Sequence, residues 1–255
     1  MVELLGIAMP ASSAQWLFRR LSVRVESAEL VTVISRDRDA RLALLDAVTA
    51  RRIPAEGRLW VNGHPLTSAT QARLRARVAE VDLEAPLVES RSLLWNVQLG
   101  HDRRLRLWRR WRARLSRRPR RAAERALASV GLHRFAHERV DALPSFVRRR
   151  ALIAQALVAQ PEILVVREVE RNRTLSEAAD VLAALRLLVS CDRLTTFVST
   201  AEPILVQLFS QRVLEIVDGV LRFDGPPSTP QTADGGGPGS RYESAQNSTS
   251  TLSLR

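Results

Sequence analysis

Two stretches of the chain carry apolar, largely β-branched side chains with almost no polar alternation: residues 30–34 (LVTVI) and 163–166 (ILVV). A strand that shows water neither face reads this way, so both are predicted to be parallel strands covered on both sides. Before the second, Leu152, Ile153, Ala156 and Leu157 recur at helical spacing, and Pro161 ends that helix near residue 160. After it come Arg167 and Glu168, at the strand's carboxyl end, where open α/β sheets place their chemistry. Strands are also predicted near 2–7, 21–25 and 195–200, and a helix bearing Leu44, Leu45 and Val48 follows residues 35–43. An amphipathic helix over 174–188 turns Leu182, Leu185 and Leu188 inward, and a further helix covers 203–211. Residues 212–227 read as a hairpin turning at Asp218-Gly219. The sum is an α/β fold.

Composition and single residues add to this picture. The 255 residues suffice for one α/β domain with a small subdomain. Residues 228–255 are rich in Ser, Thr, Gly and Gln and are expected to form a disordered polar tail. No run of about 18 apolar residues occurs, so no bilayer span is expected. The start, MVELLGIAMPASS, lacks the basic opening of a signal peptide, so export is not expected. The one cysteine, Cys191, excludes an internal disulfide framework and a cysteine metal cluster. His64 has no second ligand nearby and reads as a turn residue, so no metal site is expected.

The formal net charge is +12, and all 39 basic residues are arginine. The absence of lysine excludes Schiff-base chemistry and any phosphate-binding lysine. Eleven arginines fall within residues 103–121, with Trp108 and Trp111 three apart. Such a segment could meet anionic lipid headgroups or nucleic acid. A solvated basic helix beside a membrane reads the same, and codon composition alone also produces an arginine bias.

Residues 143–170 resemble the signature helix and Walker B strand of ABC transporter ATP-binding subunits, in particular those of phosphonate-type importers. Leu143, Arg150, Ile153, Ala154, Ala156, Leu157, Pro161 and Glu168 match that pattern. Pro144-Ser145-Phe146-Val147 stands where the family has SGGQ, and Arg167 where it has a metal-associated aspartate. Residues 53–66 resemble the family's hairpin. Residues 77–100 resemble its Q-loop region through Leu87, Val88, Ser92, Asn96, Val97 and Gly100, and residues 212–227 its closing strands. The Q-loop glutamine falls at Leu83, with Glu84 beside it, and the switch histidine falls at Ala201. Trp16 is the nearest candidate for the adenine-stacking aromatic.

A phosphate loop, G-x-x-x-x-G-K-[ST], uses glycines to face backbone N–H groups at phosphates, a lysine to reach them and a hydroxyl to hold Mg²⁺. Residues 35–43 read SRDRDARLA. Ser35 and Ala40 replace the glycines, Arg38 lies between them, Arg41 replaces the lysine, and Leu42 and Ala43 replace the hydroxyl pair. Asp37 and Asp39 add negative charge where phosphates would lie, and Arg36, Arg38 and Arg41 are placed to neutralise them.

The resemblance implies an ABC ATPase-like domain over 1–227 with a mainly parallel sheet, an N-terminal antiparallel β-subdomain and a helical subdomain over about 85–160. It implies a permease partner, a dimer with itself or with an intact paralogue, and a cytoplasmic place on the inner face of the membrane. Glu168 is left as the position of the catalytic base. With the loop, the aspartate and the histidine replaced, no cofactor is expected; ATP and Mg²⁺ enter only if the deviant motifs work. Three readings follow: a degenerate ATP-binding subunit with a structural or regulatory role, an active ATPase with deviant motifs, or an arginine-rich module for nucleic acid or anionic lipid.

Overall fold

The computed structural model describes residues 1–11, 15–102, 117–192 and 194–227. The arginine-rich segment is therefore outside the described residues over 103–116, and the whole of the tail expected at 228–255 is outside them too. Strands β1 (Val2–Pro10) and β2 (Trp16–Val25) pair antiparallel, and β4 (Glu56–Val61) and β5 (His64–Pro65) extend them into a four-stranded sheet of order β2-β1-β4-β5. The second sheet has six strands in the order β10-β9-β3-β8-β7-β6. Here β3 is Leu30–Ile34, β6 Val78–Val81, β7 Ile163–Val166, β8 Thr195–Ser199, β9 Arg212–Val217 and β10 Val220–Gly225. Every neighbouring pair in it is parallel except β9 with β10.

The unalternating strands behave as their composition requires. In β7, Ile163 and Val165 face one core, shared with β1, β2 and the helix after β3, while Leu164 and Val166 face another, filled by the remaining helices. In β8, Phe197 and Val198 divide the same way. Period two therefore carries no polar face here, because both faces are dry.

Helix α1 (Arg38–Val48) follows β3 and packs against the four-stranded sheet. Two short helices, α2 (Gln71–Arg75) and α3 (Leu93–Gln98), flank β6 in sequence. Then come α4 (Arg117–Ser129), α5 (Ser145–Leu157), α6 (Leu175–Asp192) and α7 (Pro203–Phe209). Of these, α3, α4 and α5 pack on one another, and with α6 they line the second core. Pro119 lies within the first turn of α4, where a helix N–H has no internal partner to lose. Asn96 fastens the segment before α3: its side chain accepts from Val88 N (2.7 Å) and donates to Val88 O (3.0 Å). No described helix is long and apolar enough to cross a membrane.

Candidate functional site

The site lies where the carboxyl ends of β3 and β7 meet the start of α1, the crevice position for parallel sheets. A helix start leaves N–H groups unpaired, and something must accept them. Here the acceptor is internal: Asp37 is the N-cap of α1, its Oδ1 taking Asp39 N (2.8 Å) and Ala40 N (3.3 Å). These are N–H groups that a phosphate loop would offer to its ligand.

Arg38 and Arg41 bond to Glu168 and Ser35 rather than to Asp37 and Asp39. Arg38 donates from Nε to Glu168 Oε1 (2.5 Å) and from Nη2 to Oε2 (2.6 Å), a bidentate pair joining the loop to the end of β7. Arg41 is buried, donates from Nη1 to the Ser35 carbonyl, and holds Nη2 at 3.9 Å from Glu168 Oε1. Its Nε has no hydrogen-bond partner among the described residues. Arg171 adds a third guanidinium, Nη1 at 3.4 Å from Glu168 Oε2.

Glu168 is itself held under constraint. Only 8% of its surface is exposed, and its φ of +45° places it in the left-handed region. For a residue with a Cβ that conformation costs roughly 1–3 kcal/mol unless its surroundings impose it. Its N–H donates to Ser199 Oγ (3.0 Å) at the end of β8. The Arg38 hydrogen bond, helped by the charges of Arg171 and Arg41, holds the Glu168 carboxyl below the usual carboxylate range against the opposing effect of burial.

Arg167, where the resemblance has a metal-binding aspartate, carries the opposite charge and the opposite partners. Its Nη2 donates to Asp46 Oδ1 on α1 (2.8 Å) and its Nε to Glu80 Oε1 on β6 (2.6 Å). Glu80 is also paired with Arg51 (2.6 Å). The guanidinium thus bridges two carboxylates as a cation would. Leu42 offers this region only its carbonyl, 3.4 Å from Arg167 Nη1.

The remaining positions fall around this centre. Ser35, Ala40, Leu42 and Ala43 stand in the loop and first turns of α1, and all but Leu42 are buried. Glu84 pairs with Arg173 (2.6 Å), and Leu83 lines the cleft without a polar group. Ala201 meets the site only through its backbone, N–H to Glu170 Oε1 (2.8 Å). The Trp16 ring is covered by the Arg19 guanidinium at 4.5 Å. His64 is a β5 residue paired with Val61, and no metal-holding group of His, Cys, Asp or Glu occurs among the described residues.

Sequence reasoning missed Asp46 and Glu80. The signal was present in Arg167: a cation at the end of a buried strand needs carboxylates, and an acid within an otherwise apolar helix or strand is the place to look. Measured against what MgATP needs, the donor set does not fit. The helix-start amides are taken, the hydroxyl is absent, and a guanidinium stands at the metal-binding position.

The architecture agrees with that of known proteins. The ABC transporter family model matches residues 43–169. A "Phosphonates import ATP-binding protein PhnC 1" of Natronomonas pharaonis is 31% identical over 206 residues, 81% of this chain and 85% of that protein. The PhnC 2 protein of that name from a Synechococcus is 27% identical over 82% of this chain and 78% of its own length. Among solved structures, cbiO1 of Clostridium perfringens superposes with a TM-score of 0.74 at 17% identity, covering 89% of this chain and 88% of that one. A nucleotide-free ATP-binding cassette superposes with a TM-score of 0.73 at 14% identity, covering 89% and 92%. By its sequence matches and its fold, the chain belongs to the ABC transporter family of ATP-binding proteins.

Proposed function

We propose that this chain is the ATP-binding-type subunit of an importer for phosphonate-like anions, working as a structural or regulatory half whose nucleotide site is closed. One observation carries the reading: the bidentate Arg38–Glu168 pair spans the space between loop and strand where a phosphate and its attacking water would otherwise be handled. A carboxylate locked to two or three guanidinium groups is a poor proton acceptor, because each cation lowers its basicity. The importer type is supported by the relatives' names. The same kinship supports a permease partner, a second ATP-binding subunit to pair with and a position at the inner face of the membrane. The arginine-rich segment 103–121 supplies attraction toward anionic surfaces there, with nucleic acid as the alternative polyanion.

The test is turnover. The purified chain, alone and with its permease, is expected to release no phosphate from MgATP above a protein-free control. Mg²⁺-dependent release that Glu168→Gln abolishes would establish an active ATPase with deviant motifs instead.

A further inference from the structure

Glu168 is one carboxylate facing three guanidinium groups, and only one of them is well bonded. Charge-assisted N–H···O bonds settle at about 2.7–2.9 Å. Arg38 is closer still, at 2.5 and 2.6 Å, whereas Arg171 stops at 3.4 Å and Arg41 at 3.9 Å. Arg41 is 5% exposed in its side chain, and its Nε is unpartnered among the described residues. The cluster is therefore short of oxygen atoms and of negative charge.

The cleft in front of Glu168 has the same imbalance. Its volume is about 560 Å³, and six arginines line it against four acidic residues. Arg75, one of the six, has no ion-pair partner among the described residues. Arg38 and Arg171 are 51% and 61% exposed in their side chains, so both can be reached from solvent.

We propose that this cleft is a magnesium-independent oxyanion site, in which a phosphate-type dianion takes Arg38 and Arg171 from Glu168 and Glu168 turns onto Arg41. A tetrahedral dianion supplies the oxygens that the carboxylate lacks and brings negative charge to a cleft lined by more arginines than acids. The displaced carboxylate is not orphaned, because Arg41 stands behind it with unused donors. The helix-start amides, capped by Asp37, take no part. This deepens the reading of the site given above and rests on its being closed to MgATP.

The experiment is calorimetric titration of the full chain with inorganic phosphate in EDTA, at ionic strength held constant with chloride. A saturable heat is expected for the wild type. Glu168→Gln, which removes the internal competitor's charge, is expected to tighten binding roughly tenfold, and Arg38→Ala with Arg171→Ala to weaken it at least roughly tenfold. Arg171→Ala alone, at an exposed position, keeps the test open if the double variant fails to fold. No saturable heat in either the wild type or a folded Glu168→Gln protein overturns the proposal, as does undiminished binding in Arg171→Ala. If MgATP also leaves the chain unaffected, failure of phosphate sinks only this inference. Stabilisation by MgATP would instead sink the closed-site reading on which it rests.

Discussion

Glu168 and Arg167 are adjacent in sequence and end up in separate ion clusters at one strand end, lining the same cleft. The Glu168 cluster has a pH signature. Its carboxyl is held below its ordinary value in the fold, so its contribution is complete above the unfolded value of about 4.3 and disappears as pH falls through the lower folded value. Asp141 and Glu177 are depressed as well, so the acid limb of the whole protein does not isolate Glu168. The difference between wild type and Glu168→Gln does: their urea midpoints should converge on going from neutral pH to below pH ~4. Midpoints separated by the same amount across that range would show that the carboxylate's charge contributes nothing. A packing prediction sits at Gly100. A Cβ there would lie 1.8 Å from the Gln155 carbonyl oxygen on α5, and backbone cannot give way as a side-chain tip can. Gly100→Ala should cost about 3 kcal/mol or more in urea unfolding.

At the scale of elements, the sequence was most legible where composition alone decides. The runs at 30–34 and 163–166 became β3 and β7 because short, β-branched, unalternating strings suit a strand buried on both faces. Less legible were β1 and β2, which run to Pro10 and from Trp16, beyond the spans 2–7 and 21–25 expected of them. Their pairing shifts register between Leu4 and Ile7 and again between Ile7 and Met9, and each shift breaks the alternation by which a strand is recognised. The ion clusters were not legible at all. Arg38 and Glu168 are 130 residues apart, Arg167 and Asp46 are 121 apart, and no periodicity encodes such a pairing. Two pairs tie α5 to α6, Arg149–Glu177 at 2.7 Å and Arg150–Asp180 at 2.6 Å. Both partners of the second are about a quarter exposed, so a double-mutant cycle on Arg150 and Asp180 should give a coupling of about 1 kcal/mol. A coupling indistinguishable from zero would mark the pair as incidental.

For the molecule as a whole, the proposed function separates scaffold from chemistry. Two dry cores on either face of the six-stranded sheet keep the family's architecture, while ion pairs internal to the chain occupy much of its crevice. Asp37 takes the helix-start amides, Glu168 takes the loop arginines, and Arg167 takes two carboxylates. Outside the crevice, the net charge of +12 and the segment 103–121 predict binding to acidic liposomes that falls steeply between low and physiological salt. Serine at Arg109, Arg110, Arg112 and Arg114 should remove most of it, and unchanged binding would place the attraction elsewhere. The most direct test of the closed crevice is the melting temperature of the unmodified chain titrated with MgATP. A ligand that binds the folded state alone raises stability with its concentration. No rise is expected at physiological MgATP; a melting temperature that climbs with MgATP and saturates would show that the crevice is open to nucleotide.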